Sequence, residues 1–273
     1  MLQMIGVIYS SLDIAATNIA EALVSIREFE KVDGEKFEYA AEGVNLYRIE
    51  SQATHYNKAD ELGLDLVIFL SMHRSAAGIS AFTVHPTGNF DSNADLGGSP
   101  KALSVAAPSE MHMALRGISR LDLAGIEKSY EATHHGPLLK TPSFFLEIGG
   151  NSAAIESKPL AAAMARCLSE TIGRLEDCNP EYRKVALGLG CMHYPRKFTS
   201  LAIENGYAFS HMITKYKLFD EAGHDNLDML KNAIEKTNKE VDCAVIEWKG
   251  LKAEQRERLI KALNEEGVDY ERI

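Results

Sequence analysis

Seven consecutive residues, Leu64-Asp65-Leu66-Val67-Ile68-Phe69-Leu70, constrain the fold more than any other stretch. A run this apolar, broken by one carboxylate, fits a strand covered on both faces and not one half-washed by solvent. Such strands occur where crossover helices pack against a parallel sheet, so the run points to an α/β fold. The remainder keeps the alternation. Residues 5–9 read as a buried strand, Ser10 to Asp13 as a turn, and 14–29 as an amphipathic helix carrying Ile14, Ile19, Leu23 and Ile26. Further strands are expected at 79–84, through Phe144-Phe145-Leu146, and at 185–189, 208–213 and 243–248. Helices are expected at 109–121, with Ser109 as the cap, and at 158–175, 199–205, 227–237 and 252–266. Together these give one α/β unit over 1–273, with room for a small subdomain and a mostly parallel central sheet with helices on both faces. The Gly/Ser/Asn/Asp-rich stretch 90–100 is expected to be a mobile loop.

Charge narrows the partners. A formal net charge of −10 argues against a long nucleic-acid footprint, since Lys and Arg must neutralise phosphates to supply that affinity. Any RNA contact is expected to be short and local, and no DNA partner is expected. Cys167, Cys178, Cys191 and Cys243 lack C-x-x-C spacing, so neither a disulfide framework nor a zinc finger is indicated. No apolar run approaches the roughly 20 residues of a membrane span, and no signal-like segment opens the chain. A reducing cytoplasm and no membrane partner are the expectation.

Chemistry collects where apolar runs stop. Thr133-His134-His135-Gly136-Pro137 sets two adjacent histidines against a Gly-Pro turn, which reads as an exposed imidazole pair on rigid backbone. The run Phe144-Phe145-Leu146 then delivers Glu147, expected at an exposed strand end. His73, His85 and His193 also follow apolar runs or sit in turns, whereas His211 lies within a strand and fits a hydrogen-bonded core histidine as well as a ligand. If strand carboxyl ends share one edge, these residues can line a single crevice holding Zn²⁺, whose catalytic sites use about three N/O ligands and a water. His55, His112 and His224 have no such context. Gly188-Leu189-Gly190 and Gly149-Gly150 complete no nucleotide-binding signature, and Ser143 and Ser152 no nucleophile elbow.

Five motifs in order, Ser71-Met72-His73-Arg74-Ser75, His85-Pro86-Thr87-Gly88-Asn89, Glu131-Ala132-Thr133-His134-His135-Gly136-Pro137, Phe145-Leu146-Glu147-Ile148-Gly149 and Gly190-Cys191-Met192-His193-Tyr194-Pro195, closely resemble the archaeal and plant type of D-aminoacyl-tRNA deacylase. Later stretches at 206–216 and 246–250 are similar too, so the likeness runs nearly the whole length. The resemblance implies hydrolysis of the ester joining a D-amino acid to the terminal ribose of tRNA, a zinc requirement, and an α/β fold like phosphorylases and peptidyl-tRNA hydrolases. Laid on these positions, it gives His134, His135, Glu147 and His73 as catalytic candidates. His85, His134, His193 and His211 become candidate zinc ligands, and Thr87, Asn89, Gly149 and Lys215 candidate substrate contacts. Which of these bind metal and which move protons is left open. Two positions depart from the family pattern: Gly150 stands where a serine is usual, and Ile155 where a tryptophan is usual. Arg74, Lys140, Arg196, Lys197, Lys215 and Lys249 are candidates for a local phosphate patch serving the acceptor 3′ end. Two other classes remain: a zinc-dependent amidohydrolase or peptidase acting on a small acylated substrate, and a non-catalytic RNA-end module with a structural metal site.

Overall fold

A computed structural model describes residues 4–32, 37–74, 78–176, 182–220 and 224–273; Ser75 and Cys178 lie outside these. The first half runs β1 (Ile5–Ser10), α1 (Ile14–Ile26), β2 (Glu30–Lys31), β3 (Tyr39–Ala41), β4 (Val44–Ile49), β5 (Leu66–His73), β6 (Ala81–His85), β7 (Gly88–Asn89), β8 (Ala102–Leu103), α2 (Pro108–Ser119), β9 (Glu127–Tyr130) and β10 (Ser143–Gly149). Eight of these strands form one sheet in the order β2-β3-β4-β1-β5-β10-β6-β9. Its centre, β4 through β10, is parallel, while β6 runs antiparallel to β10.

The second half runs α3 (Ser152–Ile155), α4 (Lys158–Glu176), β11 (Lys184–Cys191), α5 (Arg196–Asn205), β12 (Tyr207–Thr214), α6 (Lys215–Leu218), α7 (Met229–Glu235), β13 (Cys243–Ile246), α8 (Ala253–Glu265) and β14 (Tyr270–Arg272). Its four strands make a second, wholly parallel sheet, β12-β11-β13-β14. Two main sheets, with the short β7-β8 pair beside them, thus stand where alternation alone suggested one, because local pattern does not encode which strands pair.

β5 shows why its run is so apolar. Leu66, Ile68 and Leu70 pack with Ala16, Ile19 and Leu23 of α1, while Val67 and Phe69 enter a separate cluster on the opposite face with Ile8 and Phe145. At ~25 cal/mol per Å² of apolar surface removed from water, a strand buried on both sides contributes twice over. Asp13, not a backbone signal further on, starts α1: its carboxylate accepts from Ala16 N at 2.9 Å. The cap expected at Ser109 is absent; α2 starts at Pro108, which suits a first-turn position because it has no N–H to leave unpaired. The loop expected to be mobile is pinned, since Asn89 Nδ2 donates to Gly97 O at 2.9 Å and to Ser99 O at 3.3 Å.

That loop meets two others with almost no side chain between them. A Cβ on Gly97 would lie 1.9 Å from Thr54 O, and one on Gly136 would lie 2.2 Å from Gly98 N and 2.3 Å from Thr54 O. Gly97 also sits at φ +85°, where only glycine is comfortable. Three backbone segments, around residues 54, 97 and 136, are therefore stacked in direct contact.

Candidate functional site

The antiparallel turn of β6 creates the site. Running back along β10, β6 sets His85 opposite Phe145 and Thr83 opposite Glu147, while parallel β5 sets Ser71 beside Glu147 and His73 beside Gly149. Partnered residues share a face, so His73, His85 and Glu147 converge over β10. The expected crevice beyond the strand ends is thus corrected to a depression on one sheet face. Phe145 floors it, its ring 5.3 Å from that of His85 at an interplanar angle of 14°. Glu147 is 2% exposed, so the expected exposed strand-end carboxylate is a buried one.

The segment after β9 closes the depression from above. Glu131 N extends the ladder by donating to Val84 O at 3.0 Å. The second sheet then takes hold of the segment: Ala132 N donates to His193 O, Thr133 N to Met212 O, and Met212 N to Thr133 Oγ1. His135 adopts φ +45°, a region non-glycine residues rarely enter, and its carbonyl accepts from Gly88 N at 2.7 Å. The result brings His134, His135 and His193 against the three residues on β5, β6 and β10.

Glu131, which sequence reasoning did not single out, is the hub. It is fully buried, and its Oε2 lies 2.9 Å from His193 Nε2, 3.4 Å from His73 Nδ1 and 3.7 Å from His134 Nε2. None of these approaches has hydrogen-bond alignment, so both Glu131 oxygens are buried without a partner. Across the site Glu147 Oε2 lies 3.5 Å from His85 Nε2 and 3.6 Å from His73 Nδ1. That oxygen, His85 Nε2 and the neighbouring Thr83 hydroxyl are also unpartnered.

Three imidazoles are oriented by the main chain. His85, His134 and His135 each place Nδ1 within 2.6–3.1 Å of a backbone carbonyl, those of Pro86, Ala132 and Gly136. An imidazole that donates from Nδ1 carries its lone pair on Nε2, and here one ring nitrogen from each of the three falls in a group within 4.8 Å of one another. Burial, reinforced by the neighbouring His85, holds His135 down to about 4 and His134 well below the usual imidazole range. Burial opposes charge on Glu147 too, but His85 and His73 outweigh it and hold that carboxyl well below its ordinary value. Burial likewise disfavours a charged His73, yet Glu147 and Glu131 overcome it and raise its pKa.

Other expected site residues lie elsewhere. His211 is fully buried with Nδ1 3.2 Å from Thr133 Oγ1 and Nε2 3.1 Å from Lys236 O, so both ring nitrogens are spent and it joins no ligand group. It braces the loop carrying His134 instead. Thr87 is corrected likewise: its hydroxyl is buried beside Ser104 Oγ and Pro137 O, clasping the Gly-Pro turn. Asn89 pins the 97–99 turn, and Lys215 is exposed at the start of α6. Gly149 borders the site, its Cβ position 3.6 Å from His73 Cβ. Ile155 is core, and at Gly150 any Cβ would meet Ser80 at 3.1 Å with φ at +137°.

His211 carries a pH signature. Burial lowers its pKa to about 4, against 6.5 in a free chain, so the unfolded state binds more protons between those values. The stability it supports is whole above pH 6.5 and is lost as pH falls towards 4, on the order of 3 kcal/mol. Denaturant melts of wild type and His211→Gln across that window should show a flatter pH dependence in the variant. Parallel curves would remove His211 from the account.

Imidazoles and buried carboxylates converging in one depression of an α/β fold make a hydrolase-type centre. The family model for D-aminoacyl-tRNA deacylase matches residues 60–271. The D-aminoacyl-tRNA deacylase of Thermococcus onnurineus strain NA1 is 35% identical over 276 residues, covering 94% of this chain and 96% of that protein. The D-aminoacyl-tRNA deacylase of Methanocaldococcus jannaschii is 30% identical, covering 97% and 98%. A crystal structure of a conserved protein of unknown function superposes with a TM-score of 0.88 at 26% identity, over 99% of this chain and 95% of that one. This chain belongs to the D-aminoacyl-tRNA deacylase family.

Proposed function

We propose that this chain hydrolyses the ester between a D-amino acid and the terminal ribose of tRNA, and that it does so in the His/Glu depression over β10. The observation that carries the site is the set of buried, unpartnered atoms facing one another: His85 Nε2, Glu147 Oε2 and both oxygens of Glu131. Leaving such groups unsatisfied costs ~1–3 kcal/mol each, more when charged, so their retention points to a cation and a reacting group between them.

The donor set fits Zn²⁺. His85, His134 and His135 would hold it through Nε2, with Glu131 and Glu147 balancing its charge, and the Nδ1 contacts to backbone carbonyls fix the ring orientations. When bound, zinc supplies a Lewis acid that polarises the ester and lowers the pKa of an attacking water. The protein does the rest. Attack by water oxygen on the acyl carbon breaks its bond to the ribose oxygen, which must leave with a proton. His73, whose pKa Glu147 and Glu131 raise against the burial that lowers it and whose side chain is 18% exposed at the rim, is placed to donate it. Selection for the D-form is then a matter of geometry at the α-carbon.

The decisive assay follows release of D- and L-amino acids from matched aminoacyl-tRNAs, with N-acyl amino acids alongside. Preferential release from the D-ester supports the proposal. Cleavage of the N-acyl compounds alone would favour the amidohydrolase reading.

Contact with tRNA should be short. Of the candidate phosphate ligands, Arg196 is bound by Glu127 and Lys197 by Glu247, leaving Arg74, Lys140, Lys215 and Lys249 without an ionic partner among the described residues. Four neutralised phosphates give a slope of log K against log salt of about −3 to −4. A much steeper slope, or a need for the anticodon arm, would contradict this footprint. No helix of the described residues is long and apolar enough to cross a membrane, and a cytoplasmic place beside tRNA fits this reading.

A further inference from the structure

We infer that the cavity at the carboxyl ends of β1 and β5 holds the terminal adenosine of the tRNA, an inference that rests on the deacylase reading above. The cavity measures about 420 Å³, inside the roughly 300–1,000 Å³ of small-ligand sites. Its walls include Ser10, Leu12, Asp13, Met72, Arg74 and Leu96. Leu12 and Leu96, each 63% exposed, are the most exposed large apolar side chains among the described residues, and both line this one space. Two leucines held in water are unfavourable, and a flat heteroaromatic base entering between them recovers that loss. A larger cavity, about 560 Å³ and lined by Tyr9, Glu38 and Arg48 among others, is bordered by neither leucine.

Connectivity ties the smaller cavity to the chemistry on two sides. Ser71 in its wall stands in register beside Glu147; on the other side, Leu96 O accepts from Gly136 N at 3.1 Å, one residue beyond His135. An acyl carbon lying in the depression is one C–O bond from the ribose, so ribose and base must occupy space that borders the cluster. The cavity is that space.

The aminoacyl end fits it less well, since its free ammonium needs an acceptor. Asp13 is the carboxylate in the wall, and it is committed: Oδ1 accepts from Ala16 N at 2.9 Å, and Oδ2 from Met72 N at 2.7 Å and Ser71 Oγ at 3.2 Å. Arg74, exposed and without an ionic partner among the described residues, is placed to meet the phosphate 5′ of the adenosine.

Calorimetric binding of 5′-AMP and of adenosine tests the assignment on wild type, Leu12→Ser/Leu96→Ser, Arg74→Ala and the control Ile26→Ser, at the far end of α1. The double leucine variant should weaken both ligands about tenfold, while Arg74→Ala should weaken 5′-AMP several-fold more than adenosine and the control should match wild type. KM for D-aminoacyl-tRNA should rise with the loss of 5′-AMP affinity, leaving the change out of kcat. Equal binding by all four proteins, no binding by wild type, or altered amino-acid preference with 5′-AMP affinity intact would each overturn the assignment. If D-aminoacyl-tRNA is cleaved nonetheless, the deacylase reading stands without it. Should wild type cleave no D-aminoacyl-tRNA, that reading falls, and nucleotide binding alone decides the cavity.

Discussion

Glu131→Gln should lower single-turnover hydrolysis of D-aminoacyl-tRNA by at least ~100-fold, the scale of loss when a group that orients or balances a catalytic centre is removed. Three imidazoles, those of His73, His134 and His193, converge on Glu131 Oε2 within 3.7 Å, so neutralising it disturbs every one of them. Stability should move the other way. The carboxylate is fully buried with no aligned hydrogen bond, and such a group opposes folding, so the amide variant should melt at or above the wild-type temperature. Rate and melting temperature measured on the same preparations separate the possibilities. A variant that melts far lower would mark Glu131 as a structural residue, and one with near-normal turnover would remove it from the site.

Metal removal should have the other large effect. Protein stripped by chelator is expected to keep less than ~1% of its turnover and to regain it on adding Zn²⁺. A second readout needs no substrate. Binding to the folded state alone raises stability by RT ln(1 + [Zn²⁺]/Kd), so the melting temperature of stripped protein should climb with added zinc. His85→Ala and His135→Ala should abolish that climb, because each removes a ring nitrogen from the group of three. Full turnover in demonstrably metal-free protein would take zinc out of the mechanism.

Much of the scaffold was legible in the chain, for reasons that differ by element. The 64–70 run revealed β5 because burial on both faces leaves no room for polar residues, and the helices at 158–176 and 253–265 announce themselves by period. The division into two sheets was not legible, since a parallel strand looks alike in either. The His pair and Glu147 were found because they interrupt apolar sequence. Their burial was missed because the antiparallel return of β6, which carries His85 over β10, is a matter of strand order. His211 was read as a possible ligand because a core histidine and a ligand have the same flanks. Thr87 and Asn89 are consumed by hydrogen bonds to Pro137 O and Gly97 O, partners that the local sequence does not announce. Glu131 had a signal that went unused: a carboxylate between Tyr130 and Ala132, three residues before His134, in a segment that is otherwise buried.

The contact among residues 54, 97 and 136 has a consequence for exchange between relatives. Main chain meets main chain there, so the histidine loop has no side-chain buffer to absorb a change in length or path. A chimera that imports residues 131–137 alone from a relative 30–35% identical forces foreign backbone against a native surface. Importing 53–55 and 96–98 with it transfers the mating surfaces together. The three segments, far apart along the chain, are inherited as one unit.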